Sequence, residues 1–202
     1  MNRAQLSLAA LSAALVAAAV PPAAAAAVFE VDPLHSSIRF SVPYELIVLG
    51  EVEGQFREFA GRVVYDPEAI ASSSVQVVIQ AGSLDTGFAP RDRHLRGEEF
   101  LDTDRFPTIS FDSTRIEPGA ERHRLVGTLS LRGVAEAVAV PFQLVEVGDS
   151  LVVSGTAWLD RHTYGLGAPA ALASGAFRLG DQVSVSLHLL LTRAPSRAPS
   201  SP

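Results

Sequence analysis

The chain has 202 residues, 48% of them hydrophobic and 19% charged, a formal net charge of −6 and no cysteine; all 16 basic side chains are arginine. This excludes disulfide scaffolding, thiol nucleophiles, zinc–thiolate sites and all lysine chemistry, from Schiff bases to the lysine of a phosphate-binding loop. An acidic chain with scattered arginines also argues against nucleic acid and anionic lipid surfaces as partners.

Met1–Ala27 reads as a secretory signal: Arg3 supplies a positive start, Leu6–Val20 an apolar stretch and Ala24–Ala27 a small-residue cleavage site. The apolar stretch is shorter than the roughly 20 residues of a membrane span. The expectation is a periplasmic or secreted protein with no integral span after cleavage. Loss of Arg3, the only charged residue of that segment, takes the formal charge from −6 to −7. One domain is expected over residues 28–193, large enough for a single core. Ala194–Pro202, rich in Pro, Ser and Ala, reads as a disordered tail.

Within the domain the hydrophobic pattern has period two. Ile38, Phe40 and Val42 alternate with polar residues, and Gly61–Tyr65 and Val75–Ala81 continue the pattern. After a short helix over Arg91–Arg96, alternation resumes in Thr108–Ile116, with Ile109 and Phe111 on one face. It returns in Leu125–Leu131, Val138–Leu144, Leu151–Leu159 and Val183–Leu191. Turns fall at Asp66-Pro67, Glu117-Pro118-Gly119 and Gly148-Asp149-Ser150, whereas the Gly/Ala-rich segment Gly165–Gly180 has no assignable pattern. About eight strands at this spacing imply an all-β sandwich or barrel, and alternation alone does not separate a solid core from a hollow one. Trp158 and the period-two phenylalanines read as core, and Gly127, Gly155 and Ala157 as small residues that leave room inside.

The stretch Ser83–Phe111 carries the most information. Asp85-Thr86-Gly87 breaks a strand, Pro90 suits a first helical turn, Gly97 can end the helix, and Pro107 precedes the next strand. Its elements Ser83, Thr86, Arg91-Asp92-x-His94-Leu95, Phe100-Leu101-Asp102 and Phe106-Pro107-x-Ile109-x-Phe111 resemble the YceI family of periplasmic, lipocalin-like isoprenoid-binding proteins. Further blocks resemble the same family in order: Asp32-Pro33-Leu34-His35-Ser36, Gly54-Gln55-Phe56 with Asp66-Pro67, Gly127-Thr128-Leu129 with Leu131–Val134, and Asp160-Arg161 with Tyr164–Gly167. Two departures stand out: Tyr44 falls where the family often has His, and Ala135-Glu136-Ala137 lacks a common Lys-Pro.

The resemblance implies a single antiparallel eight-stranded lipocalin-like β-barrel with one short helix, holding a long-chain isoprenoid lipid, prenyl phosphate or quinone without catalysis or a cofactor. On that reading Phe40, Ile79, Phe111, Leu129, Phe142, Val153, Ala157 and Leu187 form the apolar wall of the ligand site, and Arg91 and His94 its polar mouth. Arginine suits a phosphate through its planar fork of donors; the structural alternative pairs Arg91 with an acidic neighbour and packs His94 under the helix. A solid-cored sandwich that binds a protein partner is the competing architecture. An Asp/His-dependent hydrolase or isomerase would need the pairs Asp32/His35, Asp92/His94 and Asp160/His162 to converge. Their spacing matches no metal-ligand motif, and no metal site is expected. These groups read as caps, with Asp92 accepting N–H groups in the helix's first turn.

Overall fold

The computed structural model describes residues 26–45, 49–167 and 178–195. Most of the signal segment, the end of the tail and the centre of Gly165–Gly180 lie outside these residues. The strands are β1 (Ala27–Val31), β2 (Ser37–Glu45), β3 (Leu49–Phe56), β4 (Phe59–Tyr65), β5 (Ser74–Gln80) and β6 (Leu84–Asp85), followed by β7 (Thr108–Glu117), β8 (His123–Leu131), β9 (Val134–Val147), β10 (Ser150–Asp160), β11 (Arg178–Leu179) and β12 (Gln182–Arg193). The one α-helix among the described residues, α1 (Ala89–Arg96), lies between β6 and β7.

Pairing is antiparallel in the order β1-β4-β5-β7-β8-β9-β10-β12, and β12 returns to β1 through Val31↔Leu191. This closes an eight-stranded barrel. Closure gives each of these eight strands a partner on both sides, so none of them is an edge strand of the kind an open sheet presents. β2 continues the line of β1 along β12, through Ile38↔Leu187, and β3 pairs with β2 as β4 does with β1. Residues 32–36 form an excursion between β1 and β2. The Asp32 N–H bonds the Leu190 carbonyl at 2.8 Å, and Ser36 Oγ accepts the Leu190 N–H at 2.9 Å.

Each strand sends alternate side chains inward, as the pleat demands. One buried cluster joins Phe29, Ile38, Tyr65, Leu151 and Leu191; a second, near α1, joins Ala81, Ile109, Leu131 and Tyr164. β8 and β9 are linked by Arg132 and Gly133 alone, at φ of 51° and 75°. Two positive φ values match the twist of a two-residue hairpin. Arg132 is held there by its guanidinium, which donates to the carbonyls of Gly165 at 2.5 Å and Glu98 at 2.6 Å.

Several elements differ from the sequence-based expectation. β1 and β3 carry too little alternation to be read, and they become strands through their partners. Pro43, a residue expected to interrupt strand pairing or mark an edge, stays within β2: it pairs with Glu51 of β3, and on its other side, beyond the last β12 rung Ser41↔Ser184, its carbonyl accepts the Gly180 N–H at 2.7 Å. Proline is tolerated where no ladder bond is needed from it. α1 begins two residues before Arg91, and Gly97 ends it at a φ of −71°, so that glycine's left-handed freedom is not used. Trp158 is not core. It is 67% exposed, because Ala157 and Leu159 take the inward positions on either side.

Candidate functional site

The barrel is hollow. A cavity of about 380 Å³ runs between the two clusters, within the roughly 300–1,000 Å³ span of small-molecule sites. Phe40, Ile79, Phe111, Leu129, Phe142, Val153, Ala157 and Leu187 all line it. The wall is almost entirely carbon, which sets aside the solid-cored sandwich. At one end Tyr65, Ile70 and Ser73 reach the cavity; at the other it is bounded by Arg91, His94 and Leu95 of α1, with Phe100, Leu101, Arg161 and Tyr164.

Of the small residues expected to leave room inside, Gly155 and Ala157 line the cavity, while Gly127 does not, and both glycines are also crowded by neighbours. A Cβ on Gly127 would fall 2.4 Å from the Phe111 ring, and one on Gly155 would fall 2.7 Å from the Pro141 carbonyl. Their missing side chains make room for an aromatic ring at Gly127 and for a neighbouring backbone at Gly155. Phe40 lies over Gly54 and Tyr44 over Gly50 in the same way, each pair directly opposed between β2 and β3.

The polar groups near the cavity are turned toward protein partners. Arg91 donates from Nε to Thr86 Oγ1 at 2.8 Å and from Nη2 to the Thr86 carbonyl at 2.9 Å. Asp92, only 7% exposed, accepts the Thr86 N–H at 2.9 Å and the Thr86 hydroxyl. It therefore caps the loop before the helix and not the N–H groups of the first turn. His94 packs edge-on to Phe100, with ring centroids 5.0 Å apart, and lies 3.8 Å from Glu99. Tyr65 donates to Glu146 at 2.8 Å; burial, and then that carboxylate, push its phenol pKa up to about 12. Ser73 Oγ accepts the Asp66 N–H at 3.0 Å.

Arg161 was not singled out for a role from the sequence, yet it is 4% exposed and lines the cavity. It donates to the carbonyls of Gly180 and Leu166, both at 2.9 Å, and pairs with Asp181 at 3.4 Å. A buried guanidinium is tolerated when its donors meet acceptors in this way. The available signal was its position directly after an alternating run, where a charged residue either leaves the wall or is enclosed.

The Asp/His pairs do not converge. Asp32 and His35 meet at 2.7 Å on the excursion between β1 and β2. Asp92 and His94 face different partners, Thr86 and Glu99. Asp160 accepts the His162 backbone N–H at 2.9 Å, while the His162 ring meets Asp181 at 2.8 Å. Among the described residues no three such side chains form a metal-binding group.

A single closed barrel with a carbon-lined interior and a helix across one end defines the class: a lipocalin-like fold with an apolar internal site. The description of a YceI-like domain matches residues 29–191, and the chain belongs to that family. A UPF0312 protein of Yersinia enterocolitica is 36% identical over 115 residues, which cover 57% of this chain and 59% of that protein. One from Vibrio vulnificus is 36% identical over 122 residues, covering 60% and 64%. The chain thus spans about 60% of the length of the curated relatives it matches. The crystal structure of Burkholderia cenocepacia BcnA superimposes with a TM-score of 0.71 at 27% identity, over 79% of this chain and 98% of that one. A polyisoprenoid binding domain from Saccharophagus degradans shares the fold at a TM-score of 0.64 and 16% identity, over 82% of this chain and 98% of that one.

Proposed function

We propose that this protein is an exported, non-catalytic carrier that encloses the chain of a long isoprenoid lipid, such as a prenyl phosphate or a quinone. The observation that carries this reading is the carbon-lined cavity inside a closed barrel, a site whose only strong interaction is removal of apolar surface from water. The polyisoprenoid binding domain of Saccharophagus degradans, with the same fold, supports the choice of lipid. Phe40, Ile79, Phe111, Leu129, Phe142, Val153, Ala157 and Leu187 contact the chain in this proposal, and the head group lies toward Arg91 and His94 at the α1 end. The scattered Asp/His pairs support binding without catalysis.

Burying each methylene contributes roughly 0.8 kcal/mol before ordering costs. Simple addition over a few isoprene units approaches the practical ceiling on affinity of about −18 kcal/mol. Contact strength therefore cannot rank long chains, and cavity depth selects among them. Native mass spectrometry of the protein purified from its own cells tests the reading. A retained lipid whose mass fits a polyisoprenoid is expected; protein that is always lipid-free, and that takes up no polyprenol from vesicles, would refute it. The same spectra report the mature N-terminus, expected after Ala27 if the chain is exported.

A further inference from the structure

The barrel wall is not hydrogen-bonded all the way round at the α1 end. β3 pairs with β2 along its full length, from Ile38↔Phe56 to Glu45↔Leu49. On its other side only Gln55 and Phe56 are paired, with Asp85 and Leu84 of β6. Over residues 49–54 that edge meets no strand among the described residues. The cavity reaches this gap, since Phe40 and Val52 line it from the sheet and Arg91, His94 and Leu95 from α1. Thr86, just ahead of α1, lies against this edge: a Cβ on Gly54 would fall 2.9 Å from its methyl group.

α1 is fastened along its β6 side and at its C-terminal end, where the Leu95 and Arg96 carbonyls accept the Leu101 and Thr103 N–H groups, both at 3.0 Å, and the Gly97 carbonyl accepts those of Phe100 and Asp102. Thr86 ties Arg91 and Asp92, and Arg96 donates to the Gly82 carbonyl at 2.8 Å and to the Leu84 carbonyl. No hydrogen bond or ion pair joins α1 to β3 among the described residues. Leu95 is the only large apolar side chain the helix brings to the cavity, so little buried surface holds it down. Glycines flank it. Gly87 has a φ of 75° and open space where a Cβ would stand, and Gly97 follows the last turn. The N-terminal half of α1, whose side chains Arg91 and Asp92 are held through Thr86, is a segment fixed by a few replaceable polar contacts and opens at lower cost than one fixed by a core.

We propose that α1 is a flap whose N-terminal half swings on Gly87 about its anchored C-terminal end, and that the slot between it and the β3 edge over residues 49–54 is the passage by which a chain-like apolar ligand enters the barrel sideways. Thr86 is the latch, since its hydroxyl is shared by Arg91 and Asp92. This rests on the lipid-carrier reading for the identity of the ligand, but not for the motion.

The test is transfer of a radiolabelled polyprenol from phosphatidylcholine vesicles into the full chain. Thr86→Val is expected to load about ten-fold faster with the same amount bound at saturation, and Arg96→Met to act in the same direction. A cysteine-free chain allows a clean opposite arm: Glu53→Cys with Arg93→Cys, both exposed, joined by a cleavable bifunctional thiol reagent. Bridged protein should load at least ten-fold more slowly, and cleaving the bridge should restore the rate. Equal rates in all forms would overturn the flap. If even the wild-type protein takes no polyprenol, the carrier reading fails and amide hydrogen exchange decides on the flap alone. Faster exchange over residues 89–97 in Thr86→Val, with β8 and β9 unchanged, supports it; unchanged exchange, or an equal rise everywhere, overturns it.

Discussion

Asp92 shows how a buried charge is made tolerable in this chain. A carboxylate with two donors from one residue loses both when it is truncated, and leaves the Thr86 N–H and hydroxyl to find water. Asp92→Ala should therefore cost about 2–3 kcal/mol in urea unfolding, whereas Asp92→Asn, which keeps an acceptor, should cost less. Tyr65 gives a pH-dependent prediction. Its folded pKa of about 12 exceeds the ordinary tyrosine value of 10.0, so it favours the folded state fully below pH 10. That contribution is lost as pH rises from 10 through about 12, because the unfolded chain ionises first. Burial also raises Tyr164, followed by the influence of Glu136, and it adds to the same alkaline loss. The expected result is a fall in stability across that window that flattens in Tyr65→Phe. A wild-type profile already flat there would contradict the assigned cause.

At the scale of elements, wall strands with strict alternation were readable because one face is enclosed and the other wet. The eight apolar positions from Phe40 to Leu187 line the cavity for that reason. β3, with two glycines and two glutamates in eight residues, has no such signature. It is a strand because β2 templates it, and Phe40 and Tyr44 cover its glycines. Gly155 faces the cavity as its place in the alternation implies, but a missing side chain in sequence does not say whether its place is empty or filled from elsewhere. The difference has a measurable consequence. Gly155→Leu should destabilise the fold by about 1–3 kcal/mol or more, since its Cβ meets backbone at 2.7 Å. Ala157→Phe, reaching into the cavity, should cost much less stability but block lipid uptake. Comparable destabilisation by both, with uptake intact in Ala157→Phe, would mean that the cavity is not where lipid sits.

For the whole molecule, a hollow core has a cost, since side chains around an empty space lose the contacts that a packed interior gives them. A ligand that fills the space restores those contacts and binds only the folded state. At a free concentration 100 times its dissociation constant it adds about 2.7 kcal/mol to stability. For a domain matched over residues 29–191, each kcal/mol moves the melting temperature by about 2–4 °C. Lipid-loaded protein should therefore melt about 5–11 °C above protein stripped by organic extraction and refolded. The gain should grow with isoprenoid length until the chain fills the cavity and then level off, because units beyond the barrel bury no further surface. A branched chain too thick for the barrel should give no gain at any length. Identical melting of loaded and stripped protein would place the lipid on the outside of the barrel, with the interior a void that the fold carries unaided.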